Sequence, residues 1–186
     1  MKVGSIHGRF QPFHNEHVDY ALAALKSCDF LWIGITQYDI EELKKCKDSP
    51  NRGVLSSNPL TYLERINIIK DALLDANIDR AKFDFIPFPI DEPEKLYQFV
   101  DINTVCFTTI RESWNRAKVE RLSQAGYKVE VLWENLEDKE VSSTLIRESL
   151  LNGNGLWKKM VQPSTQRHIN SLDLAKRLQE YLQHES

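Results

Sequence analysis

A chain of 186 residues, 41% of them hydrophobic, can bury one substantial core with room for a small helical appendage, so a single domain over 1–186 with a C-terminal helical extension from about 153 is expected. Its formal net charge of -3 offers none of the overall basic field that nucleic-acid binders carry, which leaves a small anionic ligand held in a local basic cleft. No apolar stretch approaches membrane-spanning length and residues 1–6 enter a strand without a signal-peptide pattern, so the expected location is cytoplasmic.

In chain order, residues 2–6 read as a short strand, and the Gly and Pro of Gly8-Arg9-Phe10-Gln11-Pro12-Phe13 stop it in a loop. Val18, Ala21, Leu22 and Leu25 recur at helical spacing up to about residue 27, and 30–36 is an apolar run suited to a buried parallel strand. Residues 37–58 are too long and too polar for a passive connector, which suggests a lid over a bound ligand. Thr61-Tyr62-Leu63-Glu64 fits a capping box that opens an amphipathic helix to about 76. Strands are expected at 83–88, 104–108 and 128–132, and helices at 93–100, 112–125 and 142–152. One further helix is expected over 164–183. Alternating strands and helices imply an α/β fold with an open, doubly wound parallel sheet of about five strands, helices on both faces, and ligands beyond the carboxyl ends of the strands. Cys28, Cys46 and Cys106 are too scattered for a disulfide framework and read as ordinary thiols.

Two segments carry chemistry. His14 and His17 stand three apart at the first turn of the first helix, after Gly8, Arg9 and Phe10, where free N–H groups and the helix dipole favour an anion. A lone His-x-x-His is more often a helix cap and a core contact, and zinc would need further ligands. The neighbouring Gly-Arg pair, the aromatics and the proline break favour phosphate, with both imidazoles able to stabilise phosphoryl charge. Ser142, Ser143 and Thr144 again lead into a helix N-terminus, with Arg147 one turn on. A plain N-cap by Ser142 or Ser143 is the alternative there.

These residues resemble the HxGH and ISSTxxR-type signatures of the nucleotidylyltransferase alpha/beta phosphodiesterase superfamily, and within it the archaeal-type nicotinamide mononucleotide (NMN) adenylyltransferases with their GRFQPFHxGH start. The likeness runs from about Val3 to His168 and includes Asn58-Pro59-Leu60-Thr61-Tyr62-Leu63-Glu64-Arg65, similar to NPFTxxER. It implies a Rossmann-like, HUP-type sheet, a magnesium ion, and transfer of a nucleoside monophosphate from a nucleoside triphosphate to a phosphate-bearing acceptor, with release of pyrophosphate and no covalent enzyme intermediate. ATP and NMN are the leading substrates on this reading. By the same implication Arg9, His14 and His17 contact the triphosphate, Arg65 lies at the active site, and Ser142, Ser143, Thr144 and Arg147 hold the β and γ phosphates. Arg9, His14, His17 and Arg147 are then the catalytic set, and Gly8 and Phe10 complete the nucleotide site.

The likeness fails at informative places. Glu16 stands where the pattern has glycine, which makes cytosine a competitor to adenine, because a carboxylate beside a triphosphate must turn away or meet the sugar or base. Glu94 and Tyr97 replace the family's acceptor-binding Asn and Trp, and Phe107-Thr108-Thr109-Ile110 replaces its SGNP. A remodelled acceptor site for another small phosphate or phosphonate follows, with Arg111 or Arg116 nearby. The competing reading is a nucleotide sensor that binds without turnover, and exposed helix faces leave room for a homo-oligomer.

Overall fold

Short apolar runs flanked by turn residues form five strands: β1 Val3–Gly8, β2 Phe30–Ile35, β3 Phe83–Pro87, β4 Val105–Ile110 and β5 Val129–Glu134. They pair in parallel in the order β3-β2-β1-β4-β5. The structure, a computed structural model, describes residues 1–43, 53–110, 114–134 and 141–185. β1 runs further than its composition predicts. Gly8 still pairs with Ile35, and its carbonyl accepts from the Thr36 N–H at 2.9 Å.

The chain winds outward from β1 to β3 and then crosses back to β4, so the reversal point of this doubly wound sheet lies between β1 and β4. Pairing between those two strands is confined to Gly4↔Val105 and Ser5↔Cys106. Helices cover both faces. On one, Phe107 closes over Gly4, where a Cβ would sit 2.5 Å from its ring, and Tyr20 of α1 (Asn15–Leu25) packs edge-on against Trp133 at 6.2 Å. On the other, Phe88, Leu96, Val100, Cys106 and Tyr127 form a core with Leu122 of α3 (Trp114–Gln124), and Trp32 packs against it half-buried. The helix expected over 93–100 is a tight 3-10 turn, Pro93–Gln98, which leaves Tyr97 76% exposed.

The chain packs as two compact units. One holds residues 1–8, 19–38 and 79–138, which include the sheet and α3; the other holds 9–18, 39–78 and 139–186. In the second unit, α2 (Tyr62–Asp75) opens on the predicted capping box: Thr61 Oγ1 accepts from the Glu64 N–H at 3.2 Å and Glu64 accepts from the Thr61 N–H at 2.9 Å. Helix α4 (Ser143–Asn152) ends at Gly153, whose φ of 64° needs no Cβ penalty. The single helix expected over 164–183 is two, α5 (Pro163–Ser171) and α6 (Leu174–Glu185). Asp173, at φ 45°, turns the chain between them, and this lets Ile169, Leu174 and Leu178 all be buried. Asp75 of α2 accepts from the Ser164 N–H at 2.7 Å in the first turn of α5, and Asp71 pairs with His168 at 2.8 Å. Among the described residues, no helix is long and apolar enough to cross a membrane.

Candidate active site

Residues 9–13 form a loop held by its carbonyl groups. Arg65 donates to the Arg9 carbonyl at 3.0 Å, Arg147 to the Gln11 carbonyl at 2.7 Å, and Ser143 Oγ to the Pro12 carbonyl at 2.9 Å. The Gln11 amide clasps Leu60 in both directions at 2.9 Å, as a short strand pair would. Phe10 takes the left-handed region, at φ 54°, a conformation costly for an aromatic residue that persists only when its surroundings fix it. Here its ring is buried edge-on against Phe13 at 5.3 Å and His17 at 4.9 Å. Gln11–Pro12 is a cis peptide.

The loop delivers His14 and His17 to the start of α1. Their rings stack at 3.6 Å, and His17 Nδ1 accepts the His14 N–H at 3.3 Å, so a neutral His17 carries its proton on Nε2. His17 thus caps the helix at the position Glu occupies in a capping box. Arg9 reaches the Ser57 carbonyl at 3.3 Å and Asn58 Oδ1 at 3.5 Å.

The expected phosphate residues gather in this same unit, with two adjustments to how each was read. Ser142 is the N-cap of α4, its oxygen accepting from the Leu145 N–H at 3.1 Å, and Thr144 accepts from Arg147 at 3.4 Å. Those hydroxyls serve the protein first. Arg65 lies on a helix, where arginine is commonly solvated, yet it is fully buried. Arg147 is 8% exposed. Burial pulls both guanidinium pKa values down to about 10, which leaves them charged at neutral pH. Arg147 spends two of its five N–H groups on the Gln11 carbonyl and the Thr144 hydroxyl, so charge and donors remain for an anion. Glu16 lies half-buried in the first turn of α1.

Glu94 and Tyr97 of the expected acceptor site, and Gly8 of the expected nucleotide site, belong to the sheet unit. Gly8 ends β1; Glu94 and Tyr97 are exposed on the 93–98 turn. Arg111, and residues 44–52 of the stretch expected to form a lid, lie outside the described residues. Arg116 is engaged with Glu134. Sequence reasoning missed Gln11 and Asn15. Asn15 binds the Lys159 carbonyl and Gln162, both at 3.1 Å, and its only signal was a polar side chain between two histidines.

Comparison with known proteins matches residues 6–149 to the cytidylyltransferase-like family. The chain belongs to this family. It is 34% identical to a phosphonoformate cytidylyltransferase of Streptomyces viridochromogenes over 95% of both chains. It is 28% identical to a nicotinamide-nucleotide adenylyltransferase of Saccharolobus solfataricus over 97% of this chain and 96% of that one. In fold, the family member resembles the bifunctional NMN adenylyltransferase/ADP ribose pyrophosphatase of Francisella tularensis, with a TM-score of 0.69 and 19% identity. That likeness covers 99% of this chain and 53% of the Francisella protein, so this chain spans about half of its length. The chain is a nucleotidyltransferase with a Rossmann-like fold.

Proposed function

We propose that this nucleotidyltransferase moves a cytidylyl group from CTP to a small phosphonate or phosphate acceptor and releases pyrophosphate. The observation that carries the reading is the 34% identity, over 95% of both chains, to a phosphonoformate cytidylyltransferase. Glu16 is compatible with it, because a carboxylate accepts a hydrogen bond from the cytosine N4 amine, as it does from the adenine N6 amine or from ribose hydroxyls. Exposed Glu94 and Tyr97 in place of Asn and Trp fit an acceptor without a nicotinamide ring.

In this mechanism an oxyanion of the acceptor attacks the α phosphorus in line. The new O–P bond forms as the bond to the bridging oxygen of pyrophosphate breaks, and no proton need move. Protein groups contribute position and charge. Arg9, His14 and His17 bind the triphosphate. Arg147 and the N–H groups that open α4 neutralise the departing pyrophosphate. Arg65 acts as a positioning residue through the Arg9 carbonyl. Gly8 and Phe10 shape the backbone that the nucleotide meets.

Magnesium enters with the triphosphate as part of the substrate. Among the described residues no cluster of His, Cys, Asp or Glu could hold a metal ion, and imidazole and guanidinium groups are poor partners for a hard cation. A Francisella structural neighbour, in which the comparable region is 18% identical, is described as complexed with AMP and a manganese ion.

A second reading, adenylyl transfer from ATP to NMN, is supported by several archaeal relatives at 24–29% identity. The test is pyrophosphate release with magnesium, crossing CTP and ATP against phosphonoformate, inorganic phosphate and NMN. Release with CTP and a phosphonate is the expected result. Release confined to ATP and NMN establishes the second reading, and triphosphate binding without any release establishes a sensor.

A further inference from the structure

The carboxyl end of the sheet carries a polar cluster that the phosphate-binding residues do not use. Pairing of β1 with β2 continues to Gly8↔Ile35, but pairing of β1 with β4 reaches only Ser5↔Cys106, so the strands at the chain reversal part before their ends. His7 stands on β1 at this opening and is 5% exposed. Its ring lies flat on Phe88, 4.7 Å between centroids and 3° between planes, and its Nδ1 is sealed from solvent without a hydrogen-bond partner. Burial, assisted by the charge of Lys118, lowers its pKa to about 3 and keeps the ring neutral. Lys118 belongs to α3. Asn115 lies one turn earlier on the same helical face, 9% exposed. Its Nδ2 donates to the Thr109 carbonyl at 3.2 Å, and its Oδ1 is also buried without a partner.

A phenylalanine at position 7 would stack on Phe88 equally well and leave no orphaned nitrogen. Buried polar atoms without partners lower stability, and they persist where a ligand completes them. The complement of a neutral imidazole N–H, a nearby ammonium and a side-chain amide is a small oxyanion. Asn115 Nδ2 stays on the Thr109 carbonyl, and its Oδ1 accepts from the hydroxyl of a monoprotonated phosphonate or phosphate. We propose that His7, Asn115 and Lys118 form the subsite that recognises an oxyanion of the acceptor, a phosphonate, phosphate or carboxylate group. The inference rests on the reading of this chain as a transferase to small phosphonates or phosphates. His7 would be a specificity-determining residue that the Asn and Trp positions of the NMN enzymes do not reveal.

The test is an NMR titration of protein carrying 15N-labelled histidine, with a non-hydrolysable CTP analogue bound. Phosphonoformate and inorganic phosphate are the probes, and the His7 signals are identified by their loss in His7→Phe. The expected result is a shift of the His7 ring resonances on adding either anion, weakened about tenfold in apparent affinity by Lys118→Met, with CTP affinity unchanged. In turnover, His7→Phe raises KM for the acceptor by about tenfold while KM for CTP stays within about twofold. If His7→Phe does not fold, the KM of Lys118→Met for the acceptor, expected to rise about tenfold with KM for CTP within about twofold, carries the test, since Lys118 sits half-buried on a helix surface. His7 resonances that do not move at acceptor concentrations saturating turnover would overturn the proposal. The transferase reading fails separately: His7 that answers to anions while no CTP and phosphonate pair releases pyrophosphate leaves the subsite standing and removes that acceptor chemistry.

Discussion

On the proposed function, His17 serves both fold and chemistry. His17 caps α1 through Nδ1, so replacing it removes a cap as well as a donor, whereas His14 offers a cleaner test. We expect His14→Ala to lower kcat by about 100-fold or more, the scale of losing one donor to a phosphoryl charge, with the unfolding midpoint nearly unchanged. Steady-state pyrophosphate release and thermal unfolding of the same preparation check both halves. His7 gives a residue-scale prediction about pH. Its folded pKa, about 3, lies below the ordinary 6.5, so the unfolded chain binds a proton that the folded chain refuses. Stability from this group is complete above about pH 6.5 and is lost as pH falls toward 3, by up to roughly 4 kcal/mol. Denaturant unfolding between pH 7 and 4 should show this slope in the parent and a shallower one in His7→Phe. Equal slopes would mean that the buried ring is not the acid-sensitive group.

Between elements, close approach decides residue 34 and charge pairing decides residue 64. Phe88 reaches His7 by crossing β2 above Gly34, where a Cβ would stand 2.4 Å from the Phe88 ring. Gly34→Ala must therefore displace Phe88, and we expect it to cost about 1–3 kcal/mol and to disturb the His7 ring signals. A chemical-shift change confined to residue 34 would argue against the stack. Glu64 links two elements: it closes the capping box of α2 and receives Arg177 of α6 at 2.7 and 2.9 Å. Burial pushes its carboxyl pKa up, but the Arg177 and Thr61 hydrogen bonds outweigh burial and hold it below the ordinary range. Glu64→Gln keeps the cap geometry and loses the charge. A cost on the order of 1 kcal/mol at pH 7, vanishing as pH falls through the carboxylate range, is expected for a partly exposed pair. A cost that persists at pH 3 would assign the effect to packing instead.

For the molecule as a whole, ligand binding is the natural probe, because Arg147 holds a buried charge that a triphosphate would answer. Saturating CTP with magnesium, at about a hundred times its dissociation constant, should stabilise the fold by about 2.7 kcal/mol. Arg147→Met should lose most of that gain and leave the Gln11 carbonyl without its donor. An undiminished thermal shift in that variant would remove Arg147 from the triphosphate site. Much of this architecture was legible in the sequence because its signals are local. Apolar runs, the Thr61 to Glu64 box, and the spacing of His14 and His17 depend on neighbours within a turn or a pleat. The sheet class, the start of α2 and the composition of the two candidate phosphate-binding segments follow from such periodicities and from family likeness. Other features needed the tertiary structure, because they arise between residues far apart in the chain. Arg65 looks like a surface cation until it is seen fully buried and donating to the Arg9 carbonyl. The break at Asp173 interrupts a continuous apolar stripe, and only the packing of α5 and α6 in their unit shows that two helices bury more than one. His7 had no partner at ligand spacing. Its meaning came from a strand pair that opens, a ring stacked from β3's end and a helix face that carries Asn115 and Lys118. Local physics determined the elements, and long-range burial decided which polar groups are left asking for a ligand.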